Sequence, residues 1–230
     1  MENIKILENT NEYIVCIKPA GVLSEDTSGG MPCLLADGNK KPLVVHRLDR
    51  EVSGVMVFAN DNKTAAELSK GITDKTFSKE YLAVVEGDVG SGAILEDLLF
   101  YDRTKSKTYV VNRERKGVKK ASLEFIKLAS AETEDGTVSL VKIKLHTGRT
   151  HQIRVQFASR KHSILGDRKY GSNINSKVAL FSYKISFNLN GQNYEFKALP
   201  QSVYPWSLFG EVLVKQMNEN LRVTVERSTK

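Results

Sequence analysis

Cysteine, histidine and long apolar runs are all scarce in this chain of 230 residues. Cys16 and Cys33 are the only cysteines and lie too far apart for a Cys-x-x-Cys pair, so no cysteine framework organises the fold. Cys16 falls in the apolar run 13–17 and reads as a small buried hydrophobe. The four histidines, His46, His146, His151 and His162, form no His-x-x-x-His pattern and join no cysteine cluster, which argues against a zinc site. Gly29-Gly30 is not followed by Gly-Lys-Ser or Gly-Lys-Thr, so the glycine-rich cradle for a nucleotide phosphate is missing. Ser53-Gly54 lacks the glycine two residues earlier that a nucleophile elbow needs. These absences leave no cofactor to expect. No uncharged run approaches the length of a membrane-spanning helix. The N-terminus carries Glu2 and Glu8 without an apolar core, unlike a secretory signal. The expected compartment is the cytoplasm, with no membrane partner. The residues leave the oligomeric state open, with a monomer favoured.

Charge is present in ordinary amount, 27% of residues, but it is unevenly placed. Residues 103–120 hold eight basic groups, Arg103, Lys105, Lys107, Arg113, Arg115, Lys116, Lys119 and Lys120, against the single acid Glu114. Removing them from the 34 basic and 27 acidic residues leaves 26 of each, so one segment accounts for the net charge of +7. A basic run is often only a solvated face. An excess concentrated on an otherwise neutral chain favours a polyanion, because each phosphate neutralised releases counterions. Nucleic acid is the expected partner.

The apolar pattern supplies many strands and few helices. Residues 4–7 and 13–17 read as a hairpin around Glu8-Asn9-Thr10-Asn11, stopped by Lys18-Pro19-Ala20-Gly21. Turn makers between residues 22 and 42 leave a loop with at most one short helical turn. Residues 55–59 are apolar at every position, the mark of a strand buried on both faces. Residues 61–72 have helical spacing with Asp61 as N-cap and Gly71 near the end. Strands are expected at 81–85, 109–111, 123–128 and 138–145. A helix is expected over 150–160 with Thr150 as its cap. Phe181, Tyr183, Ile185 and Phe187 alternate with polar residues, and Asn190-Gly191 turns the chain into Tyr194, Phe196 and Ala198. A terminal helix over 206–214 and a last strand over 221–225 complete the pattern. The fold class is α+β, a mixed, largely antiparallel sheet with flanking helices in one domain spanning residues 1–230.

The segment with the most chemistry precedes the buried strand. His46-Arg47-Leu48-Asp49-Arg50-Glu51-Val52-Ser53-Gly54 crowds charge into a loop mounted on a rigid element, where a carboxylate can be held in place. This segment resembles the signature of the RluA-type pseudouridine synthases, His-Arg-Leu-Asp, two residues, then Thr-Ser-Gly, with Val52 where threonine is usual. Lys18-Pro19-Ala20-Gly21, Lys79 through Gly87, Thr147-Gly148-Arg149-Thr150-His151-Gln152-Ile153-Arg154-Val155-Gln156 and Gly166-Asp167-Arg168-Lys169-Tyr170-Gly171 agree with the family's other motifs. Gln156 stands where histidine is common, and Lys161 and Ser163 replace a glycine and a proline.

The resemblance implies an enzyme that isomerises uridine to pseudouridine in ribosomal or transfer RNA, without metal or energy source. It implies Asp49 as the catalytic carboxylate, Arg154 as its basic partner and Tyr81 as a ring facing the target base. Arg47 would fill space near the displaced nucleotide, and Arg149 would join the RNA-binding set. No separate N-terminal RNA-binding domain is expected, since the motifs begin at Lys18. A paired guanidinium would keep Asp49 ionised and aimed. For Arg50 and Arg168 a surface ion pair worth about 0–1 kcal/mol is expected. The rival readings are an RNA-binding protein of the same fold without catalysis, and a hydrolase that cuts the glycosidic bond without rejoining it.

Overall fold

The computed structural model describes residues 4–218, so the strand expected over 221–225 lies outside the described residues. The chain runs β1 (Lys5–Asn9), β2 (Tyr13–Lys18), α1 (Met31–Leu34), β3 (Leu43–Val44), β4 (Ser53–Ala59), α2 (Asn62–Thr73), β5 (Ser78–Glu86), β6 (Gly92–Asp102), β7 (Lys107–Val111), β8 (Val118–Thr133), β9 (Gly136–Leu145), α3 (Gln152–Ala158), β10 (Leu180–Leu189), β11 (Gln192–Lys197) and α4 (Gly210–Asn218). The described strands form one sheet, ordered β1-β2-β4-β10-β5-β9-β8-β6-β7, with β3 beside β4 and β11 beside β10. Every pairing is antiparallel except β4 with β10. With its few helices the fold is α+β. Among the described residues no helix is long and apolar enough to cross a membrane.

The uninterrupted apolar run of β4 has the expected cause. Met56 and Phe58 join one apolar cluster, while Val55, Val57 and Ala59 join another with Leu68 of α2. Burial on both faces removes the need for polar alternation. α2 begins where expected, with the Asp61 carboxylate accepting from the Thr64 N–H at 2.8 Å. Cys16 is fully buried. The parallel contact of β4 with β10 is confined to Ser53–Phe181 and Gly54–Ser182. A Cβ on Gly54 would sit 2.4 Å from the Ser182 carbonyl oxygen, so only glycine permits this approach. The pairing anchors the end of the loop that carries Asp49.

Five expectations change. Phe181, Tyr183, Ile185 and Phe187 do not share one face. The register of β10 against β5 shifts between Ser182 and Lys184, so Phe181 and Tyr183 enter one cluster and Ile185 and Phe187 the other. β6 departs from the expected strands, because Glu96 and Asp97 interrupt its apolar pattern, and β8 is far longer than residues 123–128. The terminal helix starts late, after a 3₁₀ turn at Trp206–Phe209. Thr150 does not cap α3. That place belongs to His151, in a left-handed conformation with φ of 53° and no side-chain cap, and the Thr150 carbonyl instead accepts from the Thr108 hydroxyl at 2.7 Å.

Candidate active site

A cavity of about 640 Å³ opens between the loop 45–49, the start of β5 and residues 144–154. Its volume falls in the range of small-molecule sites. Asp49, Tyr81, Arg154, Arg47 and Arg149 all line it, so the structure gathers these five expected residues into one place.

Arg154 projects from α3 and is 4% exposed. Its Nη1 donates to Asp49 Oδ2 at 3.1 Å, the pairing expected from the sequence. Its main partner is different. Nε and Nη2 donate to the two oxygens of Asp167 at 2.6 and 2.8 Å, a bidentate pair with the carboxylate 1% exposed. Burial works against the charge on Arg154, but the hydrogen bonds and charges of Asp167 and Asp49 outweigh it and raise its pKa. Asp49 keeps 19% of its side chain open. Arg154 is therefore neutralised from behind by Asp167, leaving Asp49 with one oriented bond and a face toward the cavity.

Asp167 holds its position through the turn that follows residue 164. Gly166 has φ of +77°, and a Cβ there would lie 2.4 Å from the Lys177 carbonyl oxygen. Lys161 takes φ of 66°, the left-handed conformation that glycine adopts freely, and Ser163 Oγ donates to the Tyr170 carbonyl at 2.9 Å. The two replacements in this turn are thus accommodated. Val52 and Gln156 are buried, and Gln156 Nε2 donates to Asp97 at 2.7 Å.

His151 and Tyr170 complete the surroundings of Asp49. His151 Nε2 lies 3.9 Å from Asp49 Oδ2, and Nδ1 lies 2.9 Å from the Tyr170 hydroxyl, which accepts from the Thr108 N–H at 2.8 Å. Burial lowers the pKa of His151, opposed by the charge of Asp49. The Tyr170 ring lies 5.1 Å from the Arg154 guanidinium. Gln152 secures the same loop, accepting from Thr147 Oγ1 and the Arg149 N–H and donating to the Ser122 carbonyl. Each of these three residues stands in a family-like motif, but sequence alone does not assign it a partner.

Tyr81 is 5% exposed and lines the cavity. Burial raises its pKa, with the charge of Asp49 adding to the effect, and its hydroxyl meets Ser182. The ring is therefore a neutral phenol close to Asp49. Arg47 is largely exposed at the cavity edge, with Nη1 3.1 Å from Glu25. Arg50 and Arg168 make no ion pair among the described residues. Arg50 Nε donates to the Gly21 carbonyl, and Arg168 Nη2 to the Asn175 side chain.

Lys18 supports the Asp49 loop from below. Fully buried, it donates to the carbonyls of Pro19, Val22 and Arg50 at 2.8, 2.7 and 3.2 Å. Burial pulls its pKa down to about 8 while Asp49, Glu51 and Glu25 pull it up. Three carbonyl acceptors suit an ammonium, which has three N–H donors and no lone pair. Lys18→Met should cost about 2 kcal/mol in urea denaturation, chiefly from the Pro19 and Val22 carbonyls left without that donor. The Arg50 carbonyl keeps the Gly21 N–H at 2.7 Å. An unchanged denaturation midpoint would remove Lys18 from the support of this loop.

The basic residues of 103–120 lie outside the main cavity. Arg103 and Lys105 sit in the β6–β7 turn, and Lys107 begins β7 with its ammonium 5.8 Å from the Tyr109 ring centre and 5.1 Å from that of Tyr170. Arg113, Arg115 and Lys116 occupy the β7–β8 loop, with Arg115 4.7 Å from the Phe100 ring centre. Lys119 and Lys120 start β8, and Lys120 pairs with Glu114 at 3.4 Å. A smaller cavity of about 190 Å³, lined by Lys119, Tyr101 and Arg149 among others, links this hairpin to the main one, since both include residues 148–150. The basic segment thus flanks the cleft, and Arg149 stands between them, its Nε donating to the Lys120 carbonyl at 3.0 Å.

Comparison with known proteins gives a consistent set. Residues 12–159 match the family model described as RNA pseudouridylate synthase. The chain is 34% identical over 183 residues to an RNA pseudouridine synthase of Aquifex aeolicus, covering 73% of this chain and 56% of that protein. It is 32% identical over 213 residues to the ribosomal large subunit pseudouridine synthase D of Borreliella burgdorferi, covering 84% and 63%. The chain therefore spans about three-fifths of the length of these relatives. Among solved structures, human RNA pseudouridylate synthase domain containing 1 superposes with a TM-score of 0.80 at 19% identity, over 99% of this chain and 98% of that one. That likeness concerns the fold.

Proposed function

The chain belongs to the RNA pseudouridylate synthase family, of the RluA type, and from that premise we propose that it isomerises uridine to pseudouridine within structured RNA, ribosomal or transfer. The observation that carries the reading to this chain's own residues is the Asp167–Arg154–Asp49 arrangement at the edge of a nucleotide-sized cavity. In the reaction the bond from C1′ to N1 breaks, the base turns while bound, and C1′ joins C5. The proton of C5 is lost and N1 gains one, so no oxidant or energy source is consumed. Asp49 supplies the carboxylate at the reacting nucleotide, and Arg154 orients it through the 3.1 Å bond to Oδ2. Tyr81 offers a flat ring to a base turned out of its stack.

The test uses RNA labelled with tritium at uridine C5, taken from a strain lacking the gene so that the target uridine is unmodified. Release of tritium into solvent is the expected result. Free uracil with an abasic product would mark a hydrolase, and RNA binding without release a non-catalytic binder. Tyr81→Phe keeps the ring and should leave folding and RNA affinity intact. A fall in its turnover would give the hydroxyl a catalytic role, whereas turnover equal to the wild type would limit Tyr81 to stacking.

The flanking basic segment is proposed to hold RNA by its phosphates. Changing Lys105, Lys107, Lys116 and Lys119 to Gln should weaken binding and flatten log affinity against log salt. Lys107 is directed onto two aromatic rings, so three charges rather than four should count, reducing the slope by about 2–3. An unchanged slope would leave these lysines as solubilising surface.

A further inference from the structure

The cavity extends past Asp49 along β5. Strand alternation places Phe77, Lys79 and Tyr81 on one side of the chain, and all three line the cavity. The loop carrying His46 and Asp49 forms the facing wall. At one end the charge of Asp49 acts on Tyr81. At the other end the His46 and Phe77 rings lie 5.2 Å apart and the charge of Lys79 acts on His46.

This second end has donors without acceptors. His46 Nε2 accepts from the Val57 N–H at 3.1 Å, so the proton of the neutral imidazole sits on Nδ1. Nδ1 is buried without a hydrogen-bond partner, in a side chain 5% exposed. Lys79 is half-buried, its Nζ 5.7 Å from the Phe77 ring centre, and among the described residues no ion pair or hydrogen bond engages it. An orphaned buried N–H is rare, because leaving it unmatched costs stability. Two residues that line the cavity thus hold donors without acceptors, one of them cationic.

We propose that His46 and Lys79 form an anion subsite for the phosphodiester next to the nucleotide held at Asp49 and Tyr81. The proposal rests on reading the cavity as a nucleotide site. Lys79 stands two residues from Tyr81, roughly 7 Å along the strand, a span suited to a base at one end and its backbone phosphate at the other. Lys79 supplies the charge, and His46 a directed N–H that an oxygen entering the wall would satisfy. Burial lowers Lys79 to about 8, and burial and then Lys79 push His46 well below its ordinary range. An anion relieves both pressures.

The experiment follows the His46 ring nitrogens and Lys79 Nζ by nitrogen-15 NMR in the full chain, titrated separately with inorganic phosphate, uridine 5′-monophosphate and uridine. Saturable shifts at both residues with the two phosphates, and none with uridine, are expected. Lys79→Gln should weaken the response to the monophosphate about tenfold, and Lys79→Arg should retain it. Phosphate leaving both residues unmoved, or uridine moving them equally, would overturn the subsite. Phosphate shifts in a chain that releases no tritium would keep the subsite and remove the synthase reading. Tritium release with His46 and Lys79 unmoved would do the reverse.

Discussion

Asp49→Asn is expected to fold, to bind RNA within about twofold of the wild type, and to lower tritium release by at least about 10³-fold, the scale of losing a reacting group. The amide keeps the size and one acceptor oxygen for Arg154 but loses the charge. The survival of the fold follows from Asp167. An Arg154 paired only with Asp49 would become an uncompensated buried cation, whereas here its Nε and Nη2 stay bonded to a carboxylate 1% exposed. The unfolding midpoint should therefore move by only a few degrees, the equivalent of about 1 kcal/mol. Circular dichroism, RNA binding and tritium release on one preparation check the three parts together. Substantial release by the folded variant would remove Asp49 from the chemistry. A collapse of stability would mean that Asp49 carries the charge of Arg154 after all.

What the sequence makes legible follows from how local each cause is. The buried strand β4 declares itself because both faces are apolar, and α2 because Asp61 supplies a cap within one turn. The hairpin of β10 and β11 follows from Asn190-Gly191. The bulge between Ser182 and Lys184 is not readable, because what fixes it is the pairing with β5, a hundred residues away. The site divides in the same way. Asp49 and Arg154 are expected to meet, and they do at 3.1 Å, but the stronger partner Asp167 is not singled out by the motif that contains it. Sequence order gives no measure of which of two carboxylates closes bidentately on a guanidinium. His151 escapes for a related reason, since its cap position rests on a left-handed backbone that non-glycine residues seldom adopt. The basic run marks a charged surface, yet a count of charges cannot say that Lys107 turns inward onto Tyr109 and Tyr170.

Asp167→Asn should lower stability by about 3–5 kcal/mol, the loss expected when one partner of a buried ion pair is removed. Arg154 is 4% exposed and would keep only the 3.1 Å bond to Asp49, with an amide that can accept from one of its two former donors. The new amide would also direct an N–H toward a guanidinium that has no acceptor to offer. Arg154 would then pull more strongly on Asp49, the one carboxylate left to it, and draw that group away from the cavity. Turnover should fall by about 10²-fold in the fraction that remains folded. A double variant separates the two effects. Arg154→Met with Asp167→Leu removes both charges and replaces them with apolar groups of similar length, so it should recover most of the stability lost in the single variant. It should not recover turnover, since Asp49 would have lost its oriented partner. Urea denaturation gives the stabilities, and tritium release at saturating RNA gives the rates. If Asp167→Asn stays within about 0.5 kcal/mol of the wild type, as an ordinary surface substitution would, Asp167 is not what holds the charge of Arg154 in the interior.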